Sequence, residues 1–385
     1  MKRNVSRRDF MKGAAVAAAS GFLVGCGGGG GAAAVPVPPT SQPSIDDGRT
    51  DEVPTPEEKT DIVWTYTVTG GTSATLTGYN ESAGAVLTGG VKLPEKVENY
   101  TITAIRAGAF LGNKSIRSVE IPRTVTKIGA YAFEECERLQ AVTLYNGLET
   151  IEAGAFSSCG SLEKIELPNT LKQLGEKAFQ YCAIKSIRIP QNITIIDKQT
   201  FDGCSDLEEV SMGNVTVIGD YAFRGCDGLK KISLPKTLTT IGYAAFERSG
   251  LTEIEIPEGI TEIECAAFQW VPLSSIKLPN TLKRIKEQAF VCSKIRTIVI
   301  PEGMQEIWGN SFGSSERLQA IYLPTTLTVL GEDFATCKKL FDIYYGGTEE
   351  NWKALLSQNQ NLSFYDWSVI NYATMHFKAK PSDVK

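Results

Sequence analysis

Residues Ala155–Gly175 read AFSSCGSLEKIELPNTLKQLG. The apolar positions of this stretch are Phe156, Cys159, Leu162, Ile165, Leu167, Leu171 and Leu174. Within Ile165–Leu167 the residues alternate, so Ile165 and Leu167 face one way and Glu166 the other, as in a short strand. Pro168 closes that strand because it has no N–H for a ladder. Gly175 is read as permitting a tight turn, and the Ala-Phe segment as a short helical turn that drops Phe156 inward.

The same unit recurs along the chain. Its Phe falls at 110, 133, 156, 179, 201, 223, 246, 268, 290, 312 and 334, always 22 or 23 residues apart. Seven buried side chains cannot offset the entropy of ordering so many residues, so one unit cannot stand alone, whereas stacked units share an interior. A fixed period in this range with spaced Leu and Ile predicts a β-rich solenoid, a right-handed leucine-rich-repeat superhelix of about eleven coils. At about 4.8 Å per strand step the stack is about 50 Å long. Some coils are short by one residue, as at Ala183-Ile184 and Cys292-Ser293.

The pattern C-x-x-L-x-x-I-x-L-P-x-x-L-x-x-I-G-x-x-A-F, which residues 105–345 fit, resembles the BspA-like leucine-rich repeats, also called the Treponema pallidum type. The stretch WTYTVTGG from Trp64, with LTGGVKLPEKVENYTITAI from Leu87, resembles that family's opening β-hairpin cap. IYYGGTEENWKALL from Ile343, followed by ATMHF, resembles its α/β closing cap. The resemblance implies an extracellular protein that binds other macromolecules, with adhesion among the activities of some members.

The N-terminus reads as an address. SRRDFMK (Ser6–Lys12) carries Arg7 and Arg8 and resembles a twin-arginine export signal. The apolar run Ala14–Val24 is too short to span a bilayer comfortably. It ends in LVGC, which resembles a lipobox and makes Cys26 the expected acylated residue. Residues 27–60 are rich in Gly, Pro and acidic side chains and read as a flexible spacer. The expected organisation is a signal peptide over 1–25, lipidated Cys and tether over 26–60, a β cap over 61–104, the solenoid over 105–345 and a closing cap over 346–385.

Composition narrows the function. Loss of residues 1–25 removes five basic residues and one acidic one, and takes the formal net charge from −5 to −9. Such a chain lacks the basic field that nucleic acid requires. The single histidine, His376, excludes metal sites and triads that need two, and it reads as an end-cap residue. No G-x-S-x-G, Walker loop or H-E-x-x-H occurs. Of nine cysteines, Cys136, Cys159, Cys182, Cys204, Cys226 and Cys337 each follow a repeat Phe by three residues. A column of like residues at one repeat position reads as small apolar filler rather than as disulfides or metal ligands.

The exposed strand column runs Glu120, Thr143, Glu166, Arg188, Ser211, Ser233, Glu255, Lys277, Val299, Tyr322, Tyr344. Its last three members form a candidate apolar-aromatic binding strip, unless the closing cap with Trp352 and Trp367 folds over them. The expectation is a monomeric, non-enzymatic, cofactor-free protein, anchored to a bacterial membrane by lipid alone and mediating protein–protein interaction or adhesion. A carbohydrate-binding surface module is the alternative, and a polysaccharide hydrolase in an acidic groove ranks behind both.

Overall fold

The computed structural model describes residues 62–80, 86–331, 334, 336–359 and 372–384. Arg7, Arg8, Cys26, the tether and Trp367 lie outside the described residues.

Most coils contribute one short strand to each of two parallel ladders, and the coil through Ile232 lacks the first of them. In the first, Val119 pairs with Val142 and Val142 with Ile165. In the second, Ile128 pairs with Ile151 and Ile151 with Leu174. A near-constant period puts every residue on its own counterpart one coil away, so the sequence pattern becomes columns in space. Of the seven positions expected inside, six are buried and Leu167 is half-buried, while Glu166 is exposed.

The Phe column is the spine of the core. From Phe110 to Phe334 each ring stacks on the next, with centroids 5.0–6.0 Å apart and ring planes within 16° of parallel. Each aromatic pair contributes about 0.5–1.5 kcal/mol beyond the burial itself.

The segment carrying the Phe is not helical. It is three overlapping turns. Around Phe133, the N–H groups of Ala132, Glu134 and Cys136 donate to carbonyls three residues back. The alternate groups, on Tyr131, Phe133 and Glu135, donate instead to Ala153, Ala155 and Ser157 of the next coil. Pointing every second N–H along the stack requires left-handed residues on both sides of the Phe, and Tyr131 (φ 57°) and Glu135 (φ 58°) supply them. A left-handed non-glycine costs on the order of 1 kcal/mol. Hydrogen bonds between coils, each of similar size, offset it.

Gly175 also has a different role from the one expected. Its backbone is not left-handed. A Cβ there would lie 2.6 Å from the Ala153 amide nitrogen, and one on Gly129 would lie 2.5 Å from that of Ala107. Glycine at this position lets adjacent coils approach. Where a coil carries Glu152 instead, the carboxylate accepts a hydrogen bond from the Ala130 N–H of the preceding coil (3.1 Å).

Among the described residues the cysteines of the column are buried and form no disulfide. They do more than fill space, because each thiol donates to the carbonyl of the Phe one coil back, as from Cys159 to Phe133 and from Cys204 to Phe179 (3.1 and 3.0 Å). Ser315 makes the same bond to Phe290 (3.2 Å).

Both ladders begin before residue 105. Gly89–Lys92 pairs with Ile116–Glu120, and Tyr100–Ile105 with Lys127–Ile128. The antiparallel hairpin Trp64–Gly70 and Ser73–Tyr79 closes that end. At the other end the helix Glu349–Asn359 buries Trp352 and Leu355, and Thr374–Phe377 adds a final parallel strand to Asp342–Tyr345.

Candidate functional site

Of the two arrangements the sequence left open for the C-terminal strip, exposed or covered, the structure shows it largely covered. Val299, Tyr322, Tyr344 and His376 do line up across four parallel strands. Val299 is exposed, but Tyr322 is only 2% exposed. Its hydroxyl donates to the Glu302 carboxylate, and a Cβ on Gly346 would lie 2.7 Å from that oxygen. Burial, then the Glu302 contact, pushes the Tyr322 phenol up. Tyr344 is half-buried, with His376 stacked on it at 4.4 Å between ring centroids. His376 Nε2 lies 2.8 Å from Asp342 Oδ1. The physical reason is the additional strand. It brings His376 onto Tyr344, and the following residues bond back to Gly347 and Tyr345.

Exposed aromatics stand instead on the turn segments. Tyr131, Tyr181, Tyr243, Trp270 and Trp308 are each 40–52% exposed. Tyr131, Tyr181 and Trp270 occupy left-handed positions two residues from a core Phe. Two of the rings lie over glycines of the next coil: a Cβ would come within 2.4 Å of Tyr131 at Gly154 and within 2.2 Å of Tyr181 at Gly203.

Cations interleave with these rings. The Arg248 guanidinium sits 4.4 Å from the centre of the Trp270 ring, and that of Arg224 lies 4.5 Å from Tyr221. Arg224 also holds the buried Asp202 carboxylate in a two-point bond, 2.7 Å on each arm. Burial, with the Tyr243 contact second, pushes the Tyr221 phenol up to about 12.

Beside Trp270 the ridge is cut by a trough of about 450 Å³. Its origin is a length pattern. The apolar residue before the strand follows the Phe by six positions in most coils, as at Leu229 and Leu318. In three consecutive coils it follows by five, at Leu251, Leu273 and Ile295. Three adjacent shortened coils between taller neighbours leave a depression. Asp227 and Lys230 of the last full-length coil form one wall, and Arg248, Ser249 and Gly250 lie at its foot. Trp270, Pro272, Cys292 and Lys294 complete it. Gly250 is essential to the floor, since a Cβ there would lie 2.0 Å from the Asp227 carbonyl oxygen. Single shortenings are visible in the sequence. Their adjacency is the signal that locates the trough.

Among the described residues no group of three or more His, Cys, Asp or Glu side chains could hold a metal ion. Among them, too, no helix is long and apolar enough to cross a membrane.

The stacked coils and their turn ridge define a leucine-rich-repeat solenoid. Residues 103–230 and 216–341 match the BspA type leucine rich repeat region, in six copies, and the chain belongs to that family. Residues 4–24 match the twin-arginine translocation pathway signal sequence, which directs export across the membrane. Among solved structures, the chain is similar to a leucine rich cell surface protein from Faecalibacterium prausnitzii, with 24% identity, TM-score 0.46, and 78% of this chain and 98% of that one covered. It is also similar to a leucine-rich repeat protein from Bacteroides ovatus, with 23% identity, TM-score 0.45, and coverage of 82% and 98%. A Treponema pallidum leucine-rich repeat protein matches at 26% identity and TM-score 0.35, over 45% of this chain and 91% of that one. No curated protein matches the chain.

Proposed function

We propose that this protein is a non-enzymatic recognition scaffold outside the cytoplasm, held to a bacterial membrane by acylation of Cys26, and that it mediates protein–protein contact or adhesion. The observation that carries this reading is the set of exposed Tyr and Trp side chains around the turn segments of several coils. Large aromatic side chains are the usual anchors of protein interfaces, and they lose little rotamer freedom on binding. Here the ridge backbone is tied coil to coil by hydrogen bonds, so the anchors are presented preorganised.

Two measurements test the reading. Protease treatment of intact cells should remove the protein from a surface location, and Cys26→Ala should release it into the soluble fraction. Probing protein arrays with the purified chain should give ligands whose binding weakens in Tyr131→Ala and Tyr181→Ala. A chain that stays soluble with Cys26 intact, or array binding indifferent to the ridge tyrosines, would overturn it.

A further inference from the structure

We infer that the trough beside Trp270 is a binding site for an anionic saccharide, one that carries a carboxylate or sulfate among its hydroxyls. The inference rests on the extracytoplasmic placement proposed above, but not on the ridge tyrosines.

Three observations converge on it. The first is charge. The trough gathers Lys230, Arg248 and Lys294 on a chain whose mature net charge is −9. Several cations elsewhere are held by carboxylates, Lys185 by Glu163, Lys277 by Glu255, and Lys286 by Glu262 and Glu264. Among the described residues the three trough cations have no carboxylate partner within ion-pair distance. Lys230 donates to the Asp227 carbonyl oxygen and Arg248 lies over the Trp270 ring, so neither charge is neutralised by these contacts, and cations that converge on one concavity without a carboxylate attract an anion.

The second is the indole. Trp270 is 44% exposed at the edge of the same trough. With Arg248 over the ring, the indole still presents exposed apolar area to the C–H face of a sugar ring, and Asp227 in the lining is an acceptor for its hydroxyls. A bare inorganic anion would use only the cations. A saccharide uses all three kinds of group.

The third is what the backbone withholds. The N–H groups of Arg248, Gly250, Trp270, Cys292 and Lys294 are all engaged with carbonyls of neighbouring coils. Pro272 has no N–H. An extended acidic peptide would therefore find few main-chain donors to pair with along these coils. Side chains supply most of the groups that read the ligand. A concavity of about 450 Å³ is within the range of small-molecule sites and suits one or two sugar rings.

The experiment is calorimetric titration of the purified protein with polygalacturonate (uronate), dextran sulfate (sulfate), dextran (neutral) and polyglutamate (acidic peptide). The expected result is binding to one or both anionic glycans, weakened by added salt, with no binding to dextran or polyglutamate. The uronate and sulfate arms decide which anion is preferred. Trp270→Ala, and separately Arg248→Gln with Lys294→Gln, should each weaken binding by about ten-fold or more. Thermal melts of the variants should stay within a few degrees of the parent, because these side chains are surface groups. Equal binding of polyglutamate, unaltered glycan binding in Trp270→Ala, or no binding to either anionic glycan would overturn the site. Failure here alongside ridge-dependent binding on the protein arrays would sink the trough and leave the recognition scaffold standing.

Discussion

The Cys159 thiol donates a hydrogen bond to the Phe133 carbonyl, 3.1 Å away and one coil back. The contact recurs at Cys136, Cys182, Cys204, Cys226 and Cys337. Each thiol is therefore held as a neutral donor inside the stack, and several consequences can be measured.

Burial pushes the thiols of Cys182, Cys204 and Cys226 up. An unfolded cysteine ionises near pH 8.5. Below that pH both states keep the proton and the pH dependence vanishes. Above it the unfolded chain loses protons that the folded chain keeps, so stability falls as pH rises toward the folded pKa. The loss is about 1.4 kcal/mol per pH unit for each such thiol. Tm should be flat between pH 7 and 8 and drop steeply between pH 9 and 10. Replacing Cys182 and Cys204 with Ser should flatten that drop. A parent Tm unchanged up to pH 10 contradicts the argument.

Thiol reagents give a second reading of the same column. At pH 8 the column cysteines should be unreactive in the folded protein and react fully in guanidinium. Cys265, which is half-buried, is pushed up to about 12, mainly by burial and then by its contact with Glu287. It should also label slowly despite its partial exposure. Fast labelling of the column cysteines in the folded chain would show that the coils open.

Two glycines separate close approach from turn geometry. Gly175→Ala places a methyl against the Ala153 amide and should cost about 2 kcal/mol or more. At Gly160 nothing lies within 4 Å of a built Cβ. Gly160→Ala should stabilise by about 0.5 kcal/mol through the unfolded state. Denaturant melts of the two variants should move in opposite directions.

Tyr322 should behave as a core residue. Tyr322→Ala removes a nearly fully buried ring and should cost about 3–5 kcal/mol. Tyr322→Phe loses only the bond to Glu302, whose carboxylate can take water, and should cost less than about 1 kcal/mol. Thermal melts check both. A Tyr322→Ala variant that keeps the parent Tm would return this residue to the surface.

The Asp202 carboxylate is 2% exposed and also accepts from Gln180 (2.8 Å) and Gln199 (3.2 Å). Arg224→Ala leaves that buried charge without its cation and should cost about 3 kcal/mol. The double replacement Asp202→Leu with Arg224→Met should recover most of the loss. A single variant as stable as the parent would mean that the glutamines alone satisfy the carboxylate.

Period and polarity settled the architecture from the sequence, because a parallel stack converts spacing along the chain directly into columns in space. The Phe at intervals of 22 or 23, the strand alternation at Ile165–Leu167 and the Cys column each carry their neighbours with them. What the one-dimensional pattern could not carry was anything that depends on a neighbouring coil. The left-handed residues at Tyr131 and Glu135 exist because alternate N–H groups point along the stack. Gly175 is small because Ala153 is close, and Tyr344 is half-covered because one more strand pairs beyond Asp342–Tyr345 and stacks His376 on it. The trough was legible only as three successive short spacings, each unremarkable alone. Its volume and its cluster of cations arise when those coils are laid side by side, since a depression is a difference in height between neighbours.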